Sequence, residues 1–358
     1  MRIICILFPS VIIIMIQLFL TYFSDIAKRF TKKTIKIIDN FVIANGNKIE
    51  LYNPITNEKT IKLTDEEKHH NFLPFEFTSL AISPDSKYLA TVNNYQKIRI
   101  RNNNTKDIIF DKTYREDIKH IHFSPNSQYL SMCYREKSYI SVYKLDSLDK
   151  ILLKTNILEK QYYSMNFCFS PDSRYIAIAT DKLNNRLDGY AGHLTTIIYD
   201  MQNIDKPKMI DTEDSGYVTS IIYSPNGQQI AVGGHGSYPI IMDPINHKII
   251  YQFMNYVWIS NILYSHDNKY MIVFYQHEIK VFNTKNWKIV THIKDLDNHV
   301  MLLNNSYKLD NGTQLIMTYD RFRIYIWNIM TGSLVKSYND ISNYIPHSCF
   351  ALEQVMTN

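Results

Sequence analysis

The residue patterns that carry out catalysis or bind metals are missing from this 358-residue sequence. It contains no Gly-x-Ser-x-Gly nucleophile turn, no His-Glu-x-x-His zinc motif, no GxxxxGK[S/T] phosphate loop and no Cys-x-x-Cys pair. The Gly-rich run at residues 233–237 lacks the helix N-terminus that a phosphate cradle needs, so we predict a tight turn between two strands there. His69 and His70 lie in a polar stretch and are expected to be solvated. We therefore predict a protein that is not an enzyme and uses no cofactor or metal.

Arginine and aromatic side chains in loops are the candidates for recognising a partner protein. Residues 181–193, DKLNNRLDGYAGH, are expected to form an unusually long loop that carries Arg186 and Tyr190, two residue types enriched at interface hot spots. Other loops add Arg135, Tyr256, Arg321 and Phe322. An Asn-rich expansion of the long loop without any role is the alternative. Whether these six side chains can act together depends on the elements that position them.

A four-residue turn, Ser-Pro-Asp/Asn-Ser/Gly, recurs along the chain and marks its repeating element. Copies begin at Ser83, Ser124, Ser170 and Ser224, and weaker copies are found at residues 265–268 and 309–312. The first four spacings are 41, 46, 54 and 41 residues. A period of roughly 40 to 45 residues is typical of a β-propeller blade. Proline presets φ at the first corner of the turn, and Asp or Asn tolerates the second.

Each repeat is expected to contain four short strands, labelled a to d in chain order. In the repeat at residues 75–112, strand a ends near Ile82, and strands b, c and d are predicted at KYLATV, KIRIR and DIIF. Strand b is apolar on both faces at residues 174–180 and 269–275. Such strands indicate sheets that pack face to face. Six full repeats begin near residues 75, 118, 162, 216, 257 and 299.

Strands left over at the two ends of the chain complete a seventh repeat. Three are predicted before the first full repeat, at residues 41–45, 48–53 and 59–63, and one after the last, at residues 347–354. Residues 41–358 also suffice for seven blades of about 45 residues each. We therefore predict an all-β, seven-bladed β-propeller over residues 41–358, closed by N-terminal strands b, c and d together with a C-terminal strand a. An N-terminal hydrophobic helix is expected to precede it.

The last repeat, HVMLLNNSYKLDNGTQLIMTYDRFRIYIWN, resembles a WD40 repeat. His299 stands where the family has the His of its Gly-His dipeptide, and Asp320 falls at the acid of the b–c turn. Trp327, followed by Asn328, takes the place of the closing Trp-Asp. The resemblance to the WD40-repeat family extends over residues 41–358, although the other repeats keep only altered forms of the closing dipeptide. The resemblance implies structural roles for His299, Asp320 and Trp327. Related propellers of the TolB type use the same Ser-Pro-Asp turn, so the turn indicates the propeller fold and does not by itself set the number of blades.

The WD40 resemblance implies a non-catalytic scaffold or adaptor that binds other proteins. In WD40-like propellers the b–c and d–a loops leave the same face of the disc, which would bring the six candidate loop residues onto one surface. The alternatives are a membrane-tethered propeller with hydrolase-like activity, and a propeller that binds a lipid surface through the basic residues 28–36. The partner protein is not identified by the sequence, and the propeller itself is expected to be monomeric.

An uncharged, largely apolar stretch at residues 3–24 precedes the repeats. About twenty apolar residues can span a hydrocarbon core of roughly 30 Å, and no small-residue cleavage site follows. The basic residues Lys28, Arg29, Lys32 and Lys33 behind it predict a cytoplasmic propeller. We thus expect a membrane anchor at residues 1–30 and a basic linker at residues 31–40. A start at Met15, or degraded upstream coding sequence, would instead leave a cytoplasmic protein.

The charge distribution argues against nucleic acid as a partner. The formal net charge is +5, and six basic against two acidic groups in residues 1–40 account for +4 of it. The propeller is thus nearly neutral and offers no broad basic face for phosphates. The four cysteines, Cys5, Cys133, Cys168 and Cys349, are scattered, so we predict free thiols in a reducing compartment.

Overall fold

The structure is a computed structural model. It describes residues 40–45, 47–52, 59–64, 77–134, 139–154, 165–183, 192–215, 217–254, 257–294, 296, 301–308, 314–319, 324–338 and 350–353. The anchor predicted at residues 1–30 and nearly all of the linker predicted at residues 31–40 lie outside these ranges. Among the residues described, no helix has the length and apolar character needed to cross a membrane.

The described residues form 28 β-strands and no α-helix, and the strands fall into groups of four. Group 1 is β1 (Asn40–Asn45), β2 (Lys48–Tyr52), β3 (Lys59–Thr64) and β28 (Phe350–Glu353). Group 2 is β4 (Phe77–Ile82), β5 (Tyr88–Asn93), β6 (Lys97–Asn102) and β7 (Ile108–Thr113). Group 3 is β8 (Ile118–Phe123), β9 (Tyr129–Tyr134), β10 (Tyr139–Lys144) and β11 (Lys150–Lys154). Group 4 is β12 (Met165–Phe169), β13 (Tyr175–Leu183), β14 (Gly192–Asp200) and β15 (Asn203–Ser215).

The later groups follow the same plan. Group 5 is β16 (Tyr217–Tyr223), β17 (Ile230–Ser237), β18 (Ile240–Asp243) and β19 (Lys248–Gln252). Group 6 is β20 (Val257–Tyr264), β21 (Tyr270–Tyr275), β22 (Ile279–Asn283) and β23 (Ile289–Ile293). Group 7 is β24 (Met301–Lys308), β25 (Gln314–Tyr319), β26 (Ile324–Asn328) and β27 (Leu334–Tyr338). All pairings are antiparallel, and groups 5 and 6 are joined into one eight-stranded sheet. The architecture is therefore all-β and propeller-like, built from repeated four-stranded antiparallel sheets.

The recurrent Ser-Pro turn is stabilised by its own side chains. The hydroxyl of Ser83 accepts a hydrogen bond from the Tyr88 N–H (2.9 Å) and donates one to Oδ1 of Asp85 (2.6 Å). Ser86 follows with φ 59°, in the left-handed region. The same arrangement recurs in groups 3 to 6, where the first serine of each turn is buried: Ser124, Ser170, Ser224 and Ser265. The sequence thus places the a–b turn of each repeat through local hydrogen bonds.

Successive turns are also tied to one another. The N–H of Asp85 donates to the hydroxyl of Ser127 in the next turn (3.0 Å), and the N–H of Asn126 donates to that of Ser173 (2.9 Å). Each link joins one group to the following group, so the fourth residue of the motif fixes the spacing between neighbouring sheets.

The core lies between successive groups, because the two faces of one strand pack in opposite directions. Met132 packs with residues of group 2, including Ile100, whereas its neighbour Cys133 packs with residues of group 4, including Ile178. Further buried clusters join groups 4 and 5, groups 5 and 6, and groups 6 and 7. The strands predicted to be apolar on both faces, at residues 174–180 and 269–275, are buried on both faces, as sheets packed face to face require.

The two ends of the chain meet in group 1. Strand β28 pairs antiparallel with β1, with Val42 opposite Ala351 and Phe41 opposite Leu352. Strand β28 also lies beside β4, the first strand of group 2. The sequence predicted this C-terminal strand within residues 347–354 and its pairing with the N-terminal strands.

The long loop predicted at residues 181–193 is shorter in the structure. Strands β13 and β14 stay paired out to Leu183 and Gly192, which leaves residues 184–191 as the connection. Pairing satisfies backbone N–H and C=O groups that a loop would expose, and β15 extends alongside for 13 residues. Arg186 and Tyr190 lie outside the described residues.

Candidate aromatic binding surface

Group 5 is joined to group 6 by a strand pairing that the sequence did not predict. Strand β17 pairs with β16 along one side, and near its end it also pairs with β20, placing His235 opposite Trp258 and Ser237 opposite Val257. The run at residues 233–237 is therefore part of a strand, and the predicted tight turn is wrong.

The two glycines at the start of this run explain the difference. A Cβ on Gly234 would lie 1.6 Å from the carbonyl oxygen of Tyr217, and a Cβ on Gly233 would lie 2.9 Å from Cδ1 of both Ile259 and Ile262. Glycine lets the backbone of β17 come close to its neighbours where any side chain would collide. The glycines thus serve the close approach of three strands, not a turn.

Three aromatic side chains lie in a row across this joint. Tyr217 of β16 is opposite His235 of β17, and His235 is opposite Trp258 of β20. Directly opposed residues in antiparallel strands project from the same face of a sheet. The rings of His235 and Trp258 are stacked, with centroids 5.0 Å apart and an interplanar angle of 14°. We call Tyr217, His235 and Trp258 the aromatic row.

The aromatic row is open to solvent although it stands on paired strands. The exposed fraction of Trp258 is 58% and that of Tyr217 is 41%. In the connection that leads to β20, Met254 is 89% exposed. Exposed large apolar side chains that cluster on a rigid element are typical of interaction sites, and aromatic residues and Met are enriched there.

An aromatic cluster on the outer side holds the same connection in place. Phe253 is buried against Tyr251, Phe282 and Trp287, with ring centroids 4.9, 4.8 and 5.8 Å away. The N–H of Phe253 donates to the carbonyl oxygen of Pro239 (3.0 Å). These contacts of Phe253 therefore hold in place the segment that leads from β19 toward the aromatic row.

Basic residues are scarce in the part of the sequence that carries the aromatic row. Burial lowers the pKa of His235 below its usual value, so the imidazole is uncharged near neutral pH. Residues 217–268 contain one lysine, Lys248, and no arginine. The end of β15, two residues before the start of β16, carries Asp211, Glu213 and Asp214. The row is therefore poorly suited to phosphate groups and better suited to apolar or cationic ones.

Most residues that the sequence singled out cannot be compared with this surface. The following lie outside the described residues: Arg135, Arg186, Tyr190, Tyr256, Arg321, Phe322, His299, Asp320, His69 and His70. The aromatic row stands where β16 and β20 begin and β17 ends, the edge from which the d–a and b–c connections of these groups leave. Trp258 lies two residues after Tyr256, so period-2 alternation from that candidate would have pointed to it.

Trp327 is described, and it makes a partly buried polar contact. Its indole N–H donates to the hydroxyl of Thr318 on the neighbouring strand (2.9 Å). In group 2 the corresponding positions hold Arg101 and Thr91, and the guanidinium donates to the hydroxyl (3.2 Å). In group 2, Arg101 therefore takes the place of the tryptophan as the hydrogen-bond donor to the threonine hydroxyl.

Metal ligands and thiols are the remaining candidates for chemistry among the described residues. Across the described part of the chain, no cluster of His, Cys, Asp and Glu is arranged to hold a metal ion. Cys133 and Cys168 are free thiols, as predicted. Burial raises the pKa of Cys133 to about 12 and raises that of Cys168 as well, so both thiols stay protonated at neutral pH.

Comparison with protein-family models and with curated proteins gives no match to this chain.

Proposed function

We propose that this chain is a seven-bladed β-propeller that binds a partner protein through the aromatic row and carries out no reaction of its own. Three features support the blade count: the seven groups of four strands, the packing of each of groups 2 to 7 against its neighbour, and the pairing of β28 with β1. A closed ring of this kind leaves only short strand edges exposed.

The observation that carries the functional proposal is the exposed ring of Trp258, stacked on the half-buried ring of His235. Strand pairing on both sides of His235 fixes the positions of the two rings before any partner arrives. A preorganised aromatic surface loses little conformational entropy on binding. Tryptophan and tyrosine are also the residue types that most often dominate interface energies.

A matched pair of variants tests this function. We expect Trp258→Ala to remove specific interactors recovered by quantitative affinity purification, whereas Tyr251→Ala should retain them. Tyr251 is a suitable control because it is an exposed aromatic residue on β19, at the outer edge of the same sheet. Trp258→Ala should melt within about two degrees of the parent because Trp258 is largely exposed. Tyr251→Ala removes a contact of Phe253, so both variants are compared at a temperature at which both are folded. Equal recovery of every interactor by the two variants would refute the proposed site.

We further propose that residues 3–24 anchor the protein in a membrane with the propeller on the cytoplasmic side. Asn103 supports this orientation: it begins an Asn-x-Thr sequon, yet its side chain is 3% exposed and Nδ2 donates to the carbonyl oxygen of Ser86 (2.9 Å). A glycan on this nitrogen would break the contact, so the fold suits a compartment without N-glycosylation. Carbonate extraction should leave the full-length chain in the membrane pellet and release residues 35–358.

A further inference from the structure

The exposed face of the aromatic row carries a specific electrostatic property. An indole ring presents negative charge density above its plane, which attracts a cation within about 6 Å of the ring centroid. At Trp258 one ring face is covered by His235, while 58% of the residue remains exposed. The stacked ring of His235 is uncharged and supports Trp258 from one side, which leaves the opposite face of the indole for a ligand.

The charges around the row favour a cationic group over an anionic one. Asp211, Glu213 and Asp214 belong to the last five residues of β15, which ends two residues before Tyr217. The only basic residue of groups 5 and 6 before Lys269 is Lys248, which lies on β19 at the far edge of the sheet. Nucleic acid and anionic lipid headgroups bind through lysine and arginine side chains, which are scarce in the described part of groups 5 and 6 before Lys269, and this disfavours both.

We propose that the aromatic row binds an arginine side chain of the partner protein, with the guanidinium stacked on Trp258. This inference rests on the proposed function and names the chemistry of the partner at the same site. Arginine fits better than lysine because its guanidinium is planar, is weakly hydrated and stacks on aromatic faces, whereas an ammonium group is compact and strongly hydrated. The acidic end of β15 adds attraction at longer range.

Three short peptides test whether the aromatic row prefers a guanidinium group, an uncharged group of similar shape or an ammonium group. Acetyl-Gly-Arg-Gly-amide supplies the guanidinium, and the citrulline peptide has nearly the same shape without the charge. The lysine peptide keeps the charge without the planar group. The full-length chain has three tryptophans, so labelling with 5-fluorotryptophan gives three ¹⁹F signals, which single Trp→Phe variants assign. The signals of Trp287 and Trp327 then serve as internal controls in the same sample.

We expect the arginine peptide to shift the Trp258 signal selectively and with saturation. Citrulline should bind about two- to fivefold more weakly, the ratio that an exposed cation–π contact of about 0.5–1 kcal/mol gives. Tyr251→Ala should alter the binding of neither peptide. Equal affinities for arginine and citrulline, a stronger shift with lysine, or no shift of the Trp258 signal with any peptide would each overturn the arginine assignment. Loss of interactors from Trp258→Ala would still support the scaffold function in those cases, so the two proposals fail separately.

Discussion

The ring of His235 lies parallel to that of Trp258, with centroids 5.0 Å apart, across the strand pairing that joins two four-stranded groups. No other pairing between the described groups forms a continuous sheet of this kind. The joint therefore places Trp258, which is 58% exposed, next to a strand, β17, that is paired with β16 on one side and β20 on the other. It is the rigid surface on which the proposed function depends.

Gly234 is the residue that makes the joint possible, and Gly234→Ala should disrupt it. A Cβ at this position would lie 1.6 Å from the carbonyl oxygen and 2.6 Å from the carbonyl carbon of Tyr217, so the backbone must move. We expect a loss of at least about 3 kcal/mol in the free energy of unfolding, measured by denaturant titration. Gly227→Ser is the control, because its Cβ would lie 3.7 Å from Pro171 and the equivalent residues Ser127 and Ser173 adopt the same left-handed backbone. Similar stabilities of the two variants would contradict this role of Gly234.

Closure of the chain through β28 should make a large contribution to stability. Deletion of residues 346–358 removes β28, which pairs with β1 and lies beside β4, and exposes a strand edge. At about 25 cal/mol per Å² of apolar surface, the lost burial amounts to several kcal/mol. The truncated protein should aggregate or melt at a much lower temperature, whereas deletion of residues 354–358, beyond β28, should have little effect. Equal melting temperatures would mean that the seventh group does not close the fold.

His122 should make the fold sensitive to acid. Burial lowers the pKa of this imidazole to about 4, and its ring lies edge-on to Phe167, 5.2 Å between centroids. Above pH 6.5 the residue is neutral in both states and contributes nothing. Between pH 6.5 and 4 the unfolded chain takes up a proton that the folded chain does not, so stability falls by up to about 3 kcal/mol.

His122→Gln should therefore lose less stability than the parent between pH 6.5 and 4, as measured by urea unfolding at each pH. The exposed His266→Gln serves as a control and should retain the full pH dependence. If the parent and the His122 variant lose stability in parallel, the acid sensitivity arises elsewhere.

The contact between Trp327 and Thr318 should be worth about 1 kcal/mol in a double-mutant cycle. Thr318 is fully buried, so Trp327→Phe leaves its hydroxyl without the indole donor, a loss that costs about 1–3 kcal/mol beyond any change in packing. Thr318→Val in the Trp327→Phe background should then cost less than it does in the parent. Additive effects of the two substitutions on the free energy of unfolding would show that the hydrogen bond does not stabilise the fold.

The sequence predicted the elements that depend on local chemistry. Side chains only a few residues apart determine the Ser83 turn and its later copies. The positions of these turns, and of the strands between them, could therefore be predicted from the sequence. The pairing of β28 with β1 was predicted by counting strands, although its register could not be.

The features that the sequence did not predict depend on contacts between distant residues. Gly233 and Gly234 were predicted to form a turn, because glycine occurs both in turns and where strands approach closely. Only the positions of Tyr217 and Ile259 in the structure show that these glycines allow a close approach of strands. The aromatic row was missed for the same reason: Tyr217 and Trp258 are 41 residues apart and become neighbours through His235.

Site-specific photo-crosslinking tests the central claim most directly. A benzophenone amino acid would replace Trp258 in the full-length chain, and Tyr251 in a second protein, each expressed in cells and irradiated. We predict that position 258 forms a discrete crosslink to a partner protein, and that excess acetyl-Gly-Arg-Gly-amide reduces this crosslink in lysate. Position 251 should not form that crosslink. The same crosslinked species from both positions, or none from position 258, would contradict the assignment of the aromatic row as the binding surface.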